Sequence, residues 1–253
     1  LECILRLAGL PWRLRLAGLA AGTGGYALVT GLQPPVVRAT VMAWVVLGAV
    51  ALDRIVSWPN TLAAAALLIL WWNPMQLADP GFQLSFGAVL SLLIFTPRWQ
   101  PWLAHQLRWI RPHWLARYAA LSLSATGAVW VGLAPVLAWY FHLMAPVSML
   151  ANLLIAPLMS GLVFLGTALL AVGTMCESVM DMGRWGLELL LEATIRSVVW
   201  CHALPGAYWF VPRPPPAALL GYYGLVLVSL WRIRLGWSRQ RVLACWLAGC
   251  AVW

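Results

Sequence analysis

The side chains able to do chemistry in this sequence are few and fall in a handful of places. The stretch NPMQLADPGFQLSF, residues 73–86, brings Asp79, Gln83 and Ser85 together as the densest polar group inside an apolar run. Arg38 stands alone in PPVVRATVMA, and Asn152 stands alone in MLANLLIAPL. Between 98 and 117, Arg98, Arg108, Arg111 and Arg117 are interleaved with Trp99, Trp102, Trp109 and Trp114. In structural terms, Asp79 before Pro80 reads as a helix N-cap, Gln83, Ser85 and Asn152 as hydrogen-bonding glue between helices, and Arg38 as a cation snorkelling to an interface. The same residue types suit a second chemistry. A forked guanidinium matches a phosphate, and aromatic rings stack on bases of any identity. Arg38, Asp79, Gln83, Ser85 and Asn152 are therefore candidates for the wall of a wet pathway. Arg98, Arg108, Arg111 and Arg117, with Trp102 and Trp109, are candidates for its inner mouth.

Covalent or metal chemistry is not expected. The sequence holds no HExxH, no GxSxG and no phosphate-binding loop, and His105, His113, His142 and His202 are widely separated. The five cysteines (Cys3, Cys176, Cys201, Cys245 and Cys250) show no CxxC spacing, so the simple expectation is buried apolar thiols. On this reading the chain is not an enzyme and carries neither cofactor nor metal.

The elements that must position these residues are set by composition. Apolar residues make up 63% of the 253, well above the roughly 45–50% of a soluble domain. Residues 118–176 contain no Asp, Glu, Lys or Arg, which is room for two crossings at about 20 residues each. Apolar spans are expected at 14–31, 36–52, 60–73, 81–96, 119–141, 147–172, 215–232 and 242–253. Backbone amides cannot be left unpaired in lipid, so these must be helices, and the fold class is an all-α polytopic transmembrane domain. Pro74, Pro80, Pro135, Pro146 and Pro157 interrupt the spans, so broken or re-entrant helices are expected, most clearly in the short 60–73 run and its continuation to 96.

All 16 basic residues are Arg, and the net charge is +9. Arg6, Arg13, Arg15, Arg54 and the 98–117 group mark cytoplasmic ends, while the connections at 31–35, 74–80 and 142–146 lack Arg. The alternation holds through six spans. It then needs one more crossing before Arg232, Arg234, Arg239 and Arg241, and the sole candidate is 183–204, where Glu188, Glu192 and Arg196 share one helical face. That stripe suits an interfacial amphipathic helix or a helix facing a cavity, and the interfacial reading is preferred in spite of the parity. The segment 98–118 has the composition of a helix lying at headgroup level.

Three stretches carry a resemblance. TGLQPPVVRATVMA at 30–43, NPMQLADPGFQLSFGAVLSLL at 73–93 and APVLAWYFHLMAPVSMLANLLIAPLMSGLVFLG at 134–166 resemble, in order and spacing, the membrane-embedded competence domain of the ComEC DNA-internalisation family. The resemblance covers about 30–230. It implies a multi-pass domain of the bacterial inner membrane that passes single-stranded DNA into the cytoplasm. The partners it implies are that strand, the lipid bilayer, a DNA receptor and a cytoplasmic helicase or ATPase, and self-association is left open. Residues 1–253 are expected to form one transmembrane domain. The start at Leu1 and the end at Trp253 inside an apolar run are expected to mark a piece of a longer chain, without the OB-like and metallo-β-lactamase-like domains of that family. Two other classes fit the composition: a small-solute secondary transporter, against which stands the lack of a repeat between the halves, and a structural membrane scaffold.

Overall fold

The computed structural model describes residues 11–172, 177–204 and 206–235. Among them are eight α-helices: α1 Trp12–Val29, α2 Pro34–Ala51, α3 Trp58–Trp72, α4 Pro80–Gln106, α5 His113–Phe141, α6 Ser148–Val172, α7 Glu177–Ala203 and α8 Pro216–Leu235. A 3-10 turn, Pro74–Ala78, joins α3 to α4, and two-residue strands β1 (Leu143–Met144) and β2 (Trp209–Phe210) pair antiparallel. The protein is thus an all-α polytopic membrane domain. Four helices, α2, α4, α5 and the Ser148–Leu170 part of α6, are long and apolar enough to cross a bilayer, and α3 and Pro216–Val228 of α8 are shorter apolar helices. The expected span at 242–253, the arginines Arg6, Arg239 and Arg241, and the cysteines Cys3, Cys176, Cys245 and Cys250 lie outside the described residues.

Helix ends follow local chemistry. Pro34 and Pro35 open α2, where their missing N–H groups would be unpaired in any helix. Gly31 (φ +72°) ends α1 in the left-handed region, and Leu32 N–H donates to the Ala27 carbonyl, closing the helix in the Schellman manner. The segment 98–118 does not form a helix of its own. α4 continues through Pro97 and Pro101 to Gln106, the chain turns over 107–112, and α5 starts after Pro112. A proline costs a helix one donor and bends it, but need not end it.

The chain divides into two compact units, Leu1–Trp102 and Leu103–Trp253. In the first, Leu62, Ala65 and Ile69 of α3 pack with Phe82 and Phe86 of α4, and Val41 and Val45 of α2 lie against them. Trp44 of α2 donates from Nε1 to the Ala20 carbonyl of α1 at 3.1 Å and lies so close to Gly24 that an added Cβ would meet its ring at 3.0 Å. In the second unit the buried residues of α5 are mostly small, among them Ala116, Ala120, Ser124, Ala128, Ala134 and Ala138. Small residues let helix backbones approach where lipid supplies no hydrophobic drive.

In that unit the described residues give the order and direction of the helices. α5 leads to β1 and α6 starts directly after it. α7 packs antiparallel along α6, with Gly161 facing Leu190 and with Gly183 and Gly186 facing Leu169 and Leu165. Its C-terminal end delivers β2 back to β1, and Val211 N–H donates to the His142 carbonyl at 3.0 Å. α8 then returns beside α5, where Tyr222 and Tyr223 meet Val131 and Gly132. No residue of the Ser148–Leu170 stretch is buried, as expected of a helix whose free side is covered by lipid.

Candidate functional site

The polar group foreseen around residue 79 is built on the first turns of α2 and α4. Arg38 is 4% exposed, an unusual state for a charged side chain. Its Nε donates to the Pro34 carbonyl, one turn back, at 3.1 Å, and its Nη1 reaches Asp79 Oδ2 at 3.4 Å. The same Oδ2 accepts the Phe82 N–H at 3.0 Å, so Asp79 is also the N-cap of α4, as its place before Pro80 foretold. One carboxylate therefore offsets a buried cation and closes a helix end, two tasks that reinforce each other because the helix N-terminus itself favours an anion. Asp79 is 46% exposed, so the pair is buried on one side and open on the other.

Gly81 completes this junction, and sequence reasoning did not single it out. A Cβ there would lie 2.9 Å from Arg38 Nη2 and 3.1 Å from Asp79 Oδ2, so the guanidinium lies directly over the glycine backbone. Among the described residues no hydrogen-bond partner engages Nη2, which leaves donors beside a half-open carboxylate.

The other candidates take up separate positions. Gln83 Nε2 donates to the Leu77 carbonyl at 2.9 Å and braces the 3-10 turn, which Asn73 Oδ1 caps by accepting the Met75 N–H at 3.1 Å. Ser85 is half-buried one turn into α4 and has no side-chain hydrogen bond among the described residues. Asn152 belongs to the second unit, where its Nδ2 donates to Thr126 Oγ1 at 3.3 Å across α5 and α6, the helix-packing amide that sequence suggested. Arg38 and Asp79 are thus brought into contact, no side-chain hydrogen bond among the described residues joins Gln83 or Ser85 to that pair, and Asn152 belongs to the other unit. Arg98, Arg108, Arg111 and Arg117 are all exposed, as are Trp102 and Trp109. Arg98 folds back on its own helix toward the Ile94 carbonyl.

A second set of polar contacts escaped the sequence reading. Pro135 cannot donate to Val131, and Tyr222 Oη of α8 supplies the missing bond at 2.6 Å, while Tyr223 Oη donates to the next carbonyl, Gly132, at 3.1 Å. Pro157 likewise frees the Leu153 carbonyl of α6, and Tyr118 of α5 donates to it at 3.2 Å. The available signal is arithmetic: each interior proline orphans the carbonyl four residues earlier, and a tyrosine in a neighbouring apolar helix is the donor to seek. At the β1–β2 end, Arg213 stacks over the Trp139 ring, 3.7 Å from its centroid. Cys201 is free and buried.

A helical domain with several helices of spanning length, proline-freed carbonyls met by side chains and, among the described residues, a buried arginine paired at a helix junction defines a polytopic membrane protein. Comparison then supplies the family: the chain belongs to the Competence protein family, which it matches over residues 1–236. It is 29% identical over 132 residues to the ComE operon protein 3 of Bacillus subtilis (strain 168), an alignment covering 52% of this chain and 15% of that protein. The chain thus aligns with a minor part of that relative's length. No solved structure matches it.

Proposed function

We propose that this domain forms part of a channel in the bacterial cytoplasmic membrane that passes single-stranded DNA inward during competence, and that it contributes no catalysis of its own. The observation that carries the reading is the family match over nearly the whole chain. The Arg38 junction supports it. By the positive-inside rule the 31–35 and 74–80 connections face outward, so Arg38, Asp79 and Ser85 stand at the outer entry, where Nη2 can contact a phosphate. Asp79 offsets Arg38 while no strand is present, Gln83 braces the 3-10 turn beside it, and in the second unit Asn152 ties α6 to α5. Arg98, Arg108, Arg111 and Arg117 mark the cytoplasmic end, where Trp102 and Trp109 offer stacking surfaces to bases. A DNA receptor outside and a helicase or ATPase inside are the partners such a path requires.

Binding of single-stranded DNA to the purified full-length protein, measured across a salt series beside duplex DNA and polyphosphate, tests this. The expected result is preference for the single strand, with affinity falling linearly in logarithmic salt. Equal binding of all three polyanions means that the arginines serve topology alone and defeats the assignment of a DNA path to these residues.

A further inference from the structure

We infer that α7 crosses the membrane and that its charged stripe faces a water-filled space. The course of the chain carries the first half. α6 starts at the β1 end of the second unit, and α7 ends at the same place, because the strand that follows it pairs with β1: Leu143 opposite Phe210 and Met144 opposite Trp209. Between those points α7 runs the length of α6 in the reverse direction, held by glycine-to-leucine contacts at three levels, Gly161 with Leu190, Gly186 with Leu165 and Gly183 with Leu169. A helix of 27 residues, about 40 Å long, that packs antiparallel along a spanning helix covers the same depth. α7 is therefore the crossing that the arginine alternation demands: α5 outward, α6 inward, α7 outward, and α8 inward to Arg232 and Arg234.

The charges carry the second half. Arg184 pairs with Glu188 at 3.2 Å and Arg196 with Glu192 at 2.6 Å, and all four side chains are exposed. At 3.6 residues per turn they fall on the side of α7 away from Gly183, Gly186, Leu190 and Cys201, the side that is buried or packs on α6. Extending the same register sets Glu192 level with Met159, midway along the Ser148–Leu170 apolar stretch. Ionised groups at that depth facing hydrocarbon are costly, and the pairing of each with its neighbour does not hide it from lipid. Water against this face removes the cost. The inference concerns topology and hydration and holds whatever the cargo.

Thiol accessibility tests both halves in the full-length protein with its native cysteines replaced. Glu177→Cys and Ala203→Cys mark the two ends of α7 and leave Arg184, Glu188, Glu192 and Arg196 unchanged. A membrane-impermeant maleimide is expected to modify Glu177→Cys from the cytoplasmic side alone and Ala203→Cys from the outer side alone. Modification of both from one side makes α7 interfacial and overturns the proposal. Glu188→Cys and Glu192→Cys should react with a small water-soluble methanethiosulfonate at least about tenfold faster than Phe164→Cys on α6, since a thiol in hydrocarbon ionises poorly and the thiolate is the nucleophile. Equal rates mean that the stripe is covered by protein or lipid, which overturns the second half and leaves the end-label result to stand or fall separately.

Discussion

The two units solve the same problem, polar groups held among apolar helices, with different currencies. In the first, a full positive charge on Arg38 is balanced by Asp79 at a helix N-terminus. In the second, the carbonyls orphaned by Pro135 and Pro157 are met by the neutral hydroxyls of Tyr222 and Tyr118, and Tyr223 donates to the neighbouring Gly132 carbonyl. The difference teaches where each unit is vulnerable. Removing one member of a charge pair strands an ion, whereas removing a hydroxyl strands a dipole, and the first costs several times the second.

The largest effect is therefore expected from Asp79→Ala, which deletes the counter-charge and the N-cap together. A loss of about 3 kcal/mol is expected, the low end for breaking a buried pair because Asp79 is half open, and it should appear as a lowered thermal midpoint in detergent. Asp79→Asn keeps a cap but not a charge, and its smaller loss measures the charge alone. The double change Arg38→Met with Asp79→Asn removes both ions and should recover most of the stability. If that double variant is stable at normal membrane levels yet transformation falls, Arg38 acts on the cargo; if transformation is intact, the pair is purely structural. A single Asp79→Ala variant as stable as the parent would mean that the junction is not held by charge.

Next in size is Gly81→Ala. Its Cβ would sit 2.9 Å from Arg38 Nη2, and the guanidinium can give way only by lengthening its bonds to Asp79 or to the Pro34 carbonyl. Alanine also gains up to about 1 kcal/mol of helix propensity over glycine. Overpacking costs about 1–3 kcal/mol, so a net loss of about 1 kcal/mol is expected by thermal unfolding, and in the Arg38→Met background the sign should reverse. A stabilising Gly81→Ala in the parent protein would show that Arg38 is free to move aside.

How much of this was legible in sequence follows from the range of each interaction. The Asp79 cap was readable because an N-cap is a local pattern of four residues, and the helices were readable because apolar runs in lipid admit little else. The Arg38–Asp79 pair joins positions 41 apart, and the contact with Gly81 depends on how two helix starts meet, which no local pattern states. The 98–118 segment was read as one interfacial helix from its Arg and Trp content, but composition reports where side chains are tolerated and not where a backbone turns. α4 instead runs on through two prolines. The direction of α7 hangs on a ladder of two residues per strand, too short to show any alternation in sequence.

The smallest effect, and the sharpest test of the comparison, is at Pro135. Tyr222→Phe removes the donor to the Val131 carbonyl and keeps the ring that stands edge-on to Tyr223, 5.7 Å away. A loss near 0.6 kcal/mol is expected, the average for a hydrogen bond between membrane helices. In a Pro135→Ala background the restored backbone N–H can serve Val131 itself, so Tyr222→Phe should then cost almost nothing. Pro135 is fully buried, and its replacement carries a packing cost of its own, but that cost cancels when the two Tyr222→Phe differences are compared. An equal loss in both backgrounds would mean that the hydroxyl does not serve the orphaned carbonyl. The proline break in α5 would then be held by packing rather than by this hydrogen bond, and the contrast with the charged junction at Arg38 would widen.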